Sequence, residues 1–470
     1  MIRSPIVAPY DSTPARAASS PWCNSIVAPR TLVKNVAHGW REARRRAAKR
    51  LLGGGLVAIV TFATPARAQT PMSWPQVKAK FEATNPTLQA DQLAVEETRA
   101  SQITAFLRPN PQVSATLDQI GHNANGRPFD DALPLVLVGY LHERQQKREL
   151  RRDSARGATA IAVSGHADLE RTLIFTLRSA FVQVLQAKAF FALAQDNLAA
   201  YDQALTISRD RFQSGDIAQI DLDRLELQRV QYESDVQTAQ VNVRIAKIQL
   251  LRLLNDQTPI ERFDVTGRYD FTPPVQTIEA VRRIALDTRP DLKAALAGIE
   301  KAKIDHRLAL ANGSTDPTIT VDVGFPALSE VWQSYSPTLR QYAGVNVSMP
   351  LRLFDRNQGE KLRTQLDIAR NERLGEAARL QIFSDVDSAY ATLTTTVALL
   401  QPYKASYLDR ATRVRDTVTF SYQRGGASLL DFLQAQQEYR SVQIGYVNLV
   451  AAYLSAAAQL NLATGQEVIP

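Results

Sequence analysis

Two hydrophobic patterns divide this chain. In short stretches apolar and polar residues alternate, as where Val113, Ala115 and Leu117 are separated by Ser114 and Thr116. A period of two predicts β-strands with one apolar and one polar face. The stretches with this pattern predict strands at about 112–120, 133–141, 318–325 and 342–351.

The rest of the chain is typical of long helices. No proline occurs from Leu135 to Thr258, and only Pro402 interrupts Leu351–Ile469. Roughly 70 residues separate the second strand from Gly215, enough for a helix on the order of 100 Å long. These lengths predict helices far longer than those of ordinary globular domains.

The long helices are apolar on more than one face. Between Leu222 and Leu253, apolar residues recur at intervals of three, four or seven, and Val241, Ile245 and Ile248 form a second stripe. A two-stranded coiled coil needs a single seam. Two stripes therefore favour a helix with neighbours on both sides, as in a closed wall of helices. A buried helix in a globular bundle would have the same periodicity.

The chain carries the same plan twice. Blocks of similar sequence recur in the same order, and their offset drifts by only a few residues. The matched block starts, with their offsets, are Asn85 and Arg289 (204), Asn110 and Asp316 (206), Arg178 and Asp387 (209), Arg211 and Ser421 (210), and Ala246 and Ala456 (210). A period this long indicates an internal duplication and not a short solenoid repeat. We expect one repeat over 69–282 and another over 283–470.

A glycine interrupts each long helical region at matching places. The segments around Gly215 and Gly425 share the pattern Phe/Tyr-x-x-Gly followed six residues later by Asp221 or Asp431. Glycine ends a helix readily because it adopts left-handed backbone conformations. We therefore expect two long helical hairpins with tips near 215 and 425, and each aspartate early in the returning helix.

The net charge of +8 comes from the first 68 residues. This segment holds eleven basic and two acidic residues, so the remainder is close to neutral and does not favour nucleic-acid binding. Arg41–Arg50 is cationic, Leu51–Ala63 is apolar, and Ala66 and Ala68 precede a possible cleavage point. The order predicts a signal peptide over 1–68 with an extended N-region. The alternative, a membrane helix, needs a longer apolar run.

The position of the single cysteine is consistent with an exported protein that has no disulfide bonds. The only cysteine, Cys23, lies in the leader, so the remaining chain has no disulfide or thiolate metal site. Four histidines follow the leader, at His122, His142, His166 and His306, and none forms an i,i+4 pair or an HExxH motif. The sequence therefore predicts no metal site, no cofactor and no enzymatic activity.

The order helix, strand, strand, long helix, tip and returning helix, given twice, resembles the TolC-type outer membrane efflux proteins over about residues 75–466. Met349–Glu360, which follows the fourth strand, is similar to the equivalent stretch in the branch that serves cobalt–zinc–cadmium exporters of the resistance-nodulation-division (RND) class. Gly139–Arg151 is a weaker counterpart in the first repeat.

The resemblance implies a mainly α fold with a small β part, assembled as a homotrimer in the outer membrane. Four strands cannot close a barrel, and open edges are not tolerated in lipid. Twelve strands from three chains would enclose an aqueous lumen. A periplasmic α-helical barrel would continue it toward an adaptor protein and an inner-membrane RND pump. The chain would then be a passive exit duct for heavy-metal cations or small toxic compounds.

The resemblance also implies that the tips form a gate of acidic, tyrosine and arginine side chains. Asp221, Tyr422 and Asp431 match the family pattern, together with the turn glycines Gly215 and Gly425. A ring of Asp431 side chains would attract cations and repel anions. The alternative is that both aspartates only stabilise helix N-termini through the macrodipole.

The tips also depart from the family pattern. Phe212 stands at the first-repeat place of Tyr422. Ala427 occupies a position where an arginine can link neighbouring tips, and Gln434 one where a second acidic ring can occur. An arginine-linked lock is therefore not expected.

Two other functions stay open at this point. The chain could be the exit duct of a type I protein secretion system, because the tip residues do not distinguish the two kinds of duct. It could also be a soluble periplasmic coiled-coil scaffold, which would have no membrane strands.

Overall fold

The computed structural model describes residues 71–121, 127–129, 131–272, 276–327 and 341–469. The predicted signal peptide and parts of the two loops that join paired strands lie outside these residues.

The described elements follow one order twice. The first set is α1 (Trp74–Thr84), α2 (Pro86–Phe106), β1 (Gln112–Asp118), β2 (Leu133–Leu141), α3 (Lys147–Gln213) and α4 (Gln219–Leu253). The second set is α5 (Ile278–Thr288), α6 (Pro290–Asn312), β3 (Thr318–Gly324), β4 (Tyr342–Ser348), α7 (Gln358–Pro402), a π-helical turn (Tyr403–Tyr407), α8 (Leu408–Gln423) and α9 (Leu429–Thr464). The mainly helical fold with a small sheet is confirmed.

Two strands end earlier than the alternating pattern extends, for local backbone reasons. β1 stops at Asp118 because Gln119 adopts a positive φ of 55°, which an extended strand does not accommodate. β4 stops at Ser348, two residues before Pro350, which has no N–H to donate to a neighbouring strand.

The four strands form one antiparallel sheet in the order β1-β2-β3-β4. Val113 lies opposite Val138, Val138 opposite Val321, and Val321 opposite Val345. This valine row crosses the sheet, and its four side chains are 73, 44, 48 and 74% exposed. The sheet thus has an apolar face that the described residues leave uncovered, and its outer strands β1 and β4 have one unpaired edge each.

The helices form a strip four helices wide. Toward the sheet, α3 packs between α2 and α6, and α7 packs on α6; toward the tips, α3 packs between α4 and α9, and α8 packs on α9. Among the described residues, α2 and α4 both have α3 as their main helical neighbour. The strip therefore has two open edges, one made of β1, α2 and α4 and the other of β4, α7 and α8.

Helix α9 passes the length and hydropathy criteria for a membrane-spanning helix, alone among the described residues. Its C-terminal half instead packs in the protein core, where Val450, Leu454 and Leu460 contact Leu393 and Leu400 of α7. The exposed end of α9 faces the tips. Its hydropathy thus reflects burial within the strip.

The C-terminal end of α4, where the first long hairpin finishes, contacts the short segment between α1 and α2. The hydroxyl of Thr84 donates to the carbonyl of Leu254 at 2.9 Å, and the side-chain amide of Asn85 lies 3.4 Å from the carbonyl of Leu253. The last carbonyls of a helix have no partner within the helix. These two side chains supply partners, and we call the contact the helix-end joint.

The second hairpin has the same joint at the matching place, between α5 and α6. Thr288 donates to the carbonyl of Thr464, and Arg289 donates to that of Ala463 at 3.3 Å. The Arg289 side chain is only 4% exposed and also pairs with Asp291 at 2.6 Å and Asp385 at 2.8 Å. Burial, the largest single effect, would raise the pKa of Asp291, but the hydrogen bond with Arg289 and the charges of Arg289 and Arg171 together hold that pKa below its usual value.

We predict that Arg289→Leu destabilises the protein by about 1–3 kcal/mol, because it leaves two partly buried carboxylates unpaired and the end of α9 uncapped. The measurement is the chemical denaturation midpoint of the purified protein. The Arg289–Asp291 contribution is fully present above pH ~4, the unfolded pKa of Asp. It is lost as the pH falls through the lowered pKa of Asp291, so the difference between wild type and variant should shrink in acid.

Arg282→Leu is the matched control. Arg282 pairs with Asp387 at 2.6 Å on the surface of the neighbouring helix α5, where solvent screens the interaction. Its loss should leave the midpoint unchanged. Equal destabilisation by both substitutions would contradict the assigned role of the joint.

Candidate functional site

The two hairpin tips turn in the same way. Gly215 has φ 83° and Gly425 has φ 79°, both in the left-handed region that glycine favours. The amide of Asp216 donates to the carbonyl of Arg211 at 2.8 Å, and that of Gly426 to Ser421 at 2.8 Å. This bond spans five residues and closes the helix C-terminus. Each glycine is thus the point where a long helix ends.

The second tip is fixed by a capping box at the start of α9. The hydroxyl of Ser428 accepts from the backbone N–H of Asp431 at 3.2 Å, and its O–H donates to the Asp431 carboxylate at 2.7 Å. The carboxylate also accepts from the backbone N–H of Ser428 at 3.1 Å. The hydroxyl and N–H of Ser428, both donating to the carboxylate, lower the pKa of Asp431. The exposed Asp431 side chain therefore acts as a helix cap and is also accessible to solvent.

The first tip lacks this cap. Ala218 stands where the second tip has Ser428, and no side chain caps α4. Asp221 lies in the first turn of α4, with the Arg224 guanidinium 4.0 Å from its carboxylate. Asp221 therefore has fewer fixed partners than Asp431.

Tyr422 lies inside the contact between the two hairpins. It is 4% exposed, its ring stacks on Phe432 with centroids 4.8 Å apart, and its hydroxyl is 3.5 Å from the hydroxyl of the buried Ser208. Its other neighbours in this tip cluster are Tyr201, Ala204, Leu205, Leu222, Leu225 and Tyr232. Within one chain, Tyr422 thus joins hairpin 2 (α8–α9) to hairpin 1 (α3–α4).

Arg211 makes the other connection between the tips, and the sequence analysis did not identify it. Its guanidinium donates to the main-chain carbonyl of Tyr422 at 2.6 Å and lies 5.1 Å from the centroid of the Tyr422 ring. The sequence analysis did not expect an arginine link between the tips, whereas the structure has an arginine contact between the two hairpins of one chain. The sequence contained one sign of this role. The two repeats differ here, since Ser421 occupies the position in the second tip that matches Arg211.

The tips also differ in charge. Acidic residues outnumber basic ones on the first tip, where Asp210, Asp216, Asp221, Asp223 and Glu226 lie close in sequence. Among the described residues, no group of three His, Cys, Asp or Glu side chains is arranged to hold a metal ion.

Comparison with known proteins finds similarity to outer membrane efflux proteins in sequence and in fold. Residues 281–466 match the model of the outer membrane efflux protein family. Over 407 residues the chain is 23% identical to the cobalt-zinc-cadmium resistance protein CzcC of Cupriavidus metallidurans, covering 86% of this chain and 92% of that protein. The second repeat of the chain is thus similar to the outer membrane efflux protein family.

Solved structures of efflux channels share the fold of this efflux protein. CusC matches with a TM-score of 0.70 and 16% identity, over 84% of this chain and 92% of that one. The open-state MtrE channel of Neisseria gonorrhoeae matches with a TM-score of 0.68 and 18% identity, over 84% and 89%.

The efflux protein is thus an outer-membrane channel, as the sequence resemblance implied. These relatives do not favour a protein-secretion duct or a soluble scaffold. The matched family consists of transport ducts and not of enzymes.

We predict that Arg211→Ala loosens the second tip. A hydrogen bond to a charged group contributes roughly 1.5–3 kcal/mol, so amide hydrogens of Arg424, Gly425 and Gly426 should exchange about tenfold faster or more. Hydrogen-exchange mass spectrometry measures this directly.

The matched control is Arg209→Ala. Arg209 lies two residues away and pairs with Glu226 at 2.8 Å within hairpin 1. It should leave exchange at the second tip unchanged. If both variants accelerate exchange equally, or neither does, Arg211 does not hold the tips together.

Proposed function

We propose that three copies of this chain assemble into one continuous duct. A twelve-stranded β-barrel would cross the outer membrane, and an α-helical barrel would extend it into the periplasm. The duct would receive heavy-metal cations or small toxic compounds from an inner-membrane RND pump through a periplasmic adaptor. The observation that carries this proposal is the strip with two unlike open edges.

The two edges are suited to pairing with each other. On one edge, α4 exposes Leu227, Val230 and Val241; on the other, α7 exposes Leu366 and Leu380. A contact between one edge of a copy and the other edge of the next copy is heterologous. Such contacts form a closed ring when the rotation that relates neighbouring copies closes. The same rotation would bring β1 of one copy beside β4 of the next.

The sheet favours a membrane location for this closure. Its exposed valine row is typical of a lipid-facing surface, whereas the opposite face carries polar residues such as Ser114, Thr320 and Asp322. Unpaired strand edges are not tolerated in lipid. Three copies give twelve strands, which suffice for an aqueous lumen.

The six hairpin tips would form the periplasmic gate. Gly215 and Gly425 would form its turns, Asp221 and Asp431 its acidic surface, and Tyr422 the packing behind it. Acidic rings favour cations over anions. Asp431 can serve both as a helix cap and in this ring, since its carboxylate is exposed.

The proposed cargo rests on sequence similarity. CzcC, the relative noted above, is named for resistance to cobalt, zinc and cadmium. With no described metal-ligand cluster, the duct would not select a metal by coordination. Selection would lie in the pump and adaptor, and the duct would add only its charge preference.

We predict that Val345→Arg lowers the amount of assembled protein in the outer membrane, because an arginine on the lipid face costs roughly 2–4 kcal/mol near the bilayer midplane. Asn346→Arg, on the neighbouring position and opposite face of β4, should be tolerated. The measurement is the yield of trimer extracted from outer-membrane fractions. Loss of assembly in Asn346→Arg alone would contradict the assigned faces.

We predict that Asp431→Asn and Asp221→Asn reduce the cation preference of the pore, because each removes one negative charge per copy from the tip. The measurement is the reversal potential across planar bilayers in potassium and zinc chloride gradients. Growth on cobalt, zinc and cadmium salts in cells carrying the cognate pump and adaptor tests the cargo.

Asp196→Asn is the control, since Asp196 lies on α3 away from the tip. A pore insensitive to both tip substitutions would leave the aspartates as helix caps only. Absence of any pore, with the protein remaining soluble, would overturn the channel proposal.

A further inference from the structure

One half-buried charge on α3 has no counterion among the described residues. The guanidinium of Arg178 lies 4.5 Å from the centroid of the Trp74 ring, and no described residue accepts a hydrogen bond from it. Burial lowers the pKa of Arg178, and the charge of Glu467 offsets this only in part. Burying a charge without an acceptor costs free energy. The position therefore favours a ligand that supplies the acceptor.

The second repeat has an ion pair at the matching place. Lys78 of α1 matches Arg282 of α5 at an offset of 204. Arg178 matches Asp387 at 209, and Arg282 pairs with Asp387 at 2.6 Å. The first repeat thus has two cations where the second has a cation and an anion. Neither Lys78 nor Arg178 has an acidic side chain within ion-pair distance in the described part of the chain.

Both cations line one small cavity of about 300 Å³. Its charged lining consists of three basic and two acidic side chains, which are Lys78, Arg171, Arg178, Glu170 and Glu467. Glu467 already accepts a hydrogen bond from Nε1 of Trp74 at 3.0 Å. The positive excess and the free N–H groups of Arg178 suit an anionic group here.

Arg178 also lines a larger cavity of about 590 Å³, whose wall is mainly apolar. The apolar wall includes Phe181, Val182, Leu185, Val281, Leu454 and Leu460. Phe181 and Leu185 belong to the core around α1 and α3, whereas Leu454 and Leu460 belong to the core around α7 and α9. The larger cavity therefore lies between the two cores of the chain, and its size is that of a small-molecule site.

The other charged side chains in the wall of the larger cavity have partners. Arg268 pairs with Asp270 at 3.4 Å, and Glu467 is bonded to Trp74. The aromatic ring orients the Arg178 guanidinium through a cation–π contact but supplies no oxygen acceptor. Among the charged side chains described in this wall, Arg178 alone is without a hydrogen bond.

We propose that Arg178 and Lys78 bind the carboxylate or phosphate of a single-chain amphiphile, whose hydrocarbon tail fills the larger cavity. A guanidinium binds either group through paired hydrogen bonds, and the apolar wall favours a hydrocarbon. From Arg178 to Leu185 the α3 axis rises by about 10 Å, which suits a medium-length acyl chain. The bound tail would join the two cores by contacting both.

The test measures binding of octanoate and octyl phosphate to the purified protein in a detergent-free amphiphilic polymer. Replacing Trp22, Trp40 and Trp332 by Phe leaves Trp74 as the only tryptophan, so its fluorescence reports on the site. Octanol lacks the charge and acetate lacks the tail. We expect saturable binding of octanoate or octyl phosphate, and binding about tenfold weaker or more for both control ligands. The better of the two anions distinguishes a fatty acid from a lysophospholipid as the source.

Two substitutions test the assigned cation. Arg178→Asp places an acid opposite Lys78, as in the second repeat, and should weaken octanoate binding about tenfold or more while the protein folds. Arg178→Gln should weaken binding similarly and serves if the first variant does not fold. Arg209→Gln is the matched control, because Arg209 lies on the same helix and pairs with Glu226 outside both cavities. It should bind as the wild type does.

Thermal unfolding gives a readout that a purely structural arginine would not produce. Octanoate should raise the unfolding midpoint of the wild type and of Arg209→Gln, because a ligand of the folded state stabilises it. It should leave the midpoint of Arg178→Asp unchanged. Without ligand, Arg178→Asp should be at least as stable as the wild type, since it removes a half-buried charge that has no counterion.

Equal binding of octanoate by the wild type and Arg178→Asp would overturn the site, and so would equal binding of octanol. No binding of either anion to the wild type would also overturn it. If both Arg178 variants are destabilised without ligand, Arg178 is a structural side chain held by Trp74. These results do not depend on whether the protein forms a pore, so the site and the proposed channel can fail separately.

Discussion

The two helix-end joints fix the directions of α4 and α9, the long helices that return from the tips. Thr84 and Asn85 receive the end of α4, and Thr288 and Arg289 receive the end of α9. Each returning helix is about 50 Å long. An angular change of 5° at the joint would therefore move a tip by about 4 Å, so buried hydrogen bonds at the joint are needed to place the tips accurately.

Duplication gave the two halves the same joint but different tips. The second half gained a hydroxyl cap at Ser428 where the first has Ala218, and the first supplies Arg211 where the second has Ser421. The halves therefore differ at the tips and agree where the returning helices are anchored. A fold can accept such divergence at the tips because few core contacts depend on them.

Much of the fold could be predicted from periodicity, because alternating valines and proline-free stretches reflect local backbone preferences. The strand ends could not, since Gln119 adopts its positive φ in the folded chain. The role of Arg211 was not predictable either. Its acceptor is a main-chain carbonyl, which every residue type possesses, so the partner leaves no sequence signature. The π-turn was visible only as the change of offset from 209 to 210.

The π-helical turn has a consequence for symmetry. Three copies of a duplicated chain would surround the lumen with six similar hairpins, a pseudo-sixfold arrangement. Because the second hairpin contains the π-helical turn while α3 of the first is α-helical throughout, two kinds of hairpin would alternate around the aperture. The aperture would then have threefold and not sixfold symmetry.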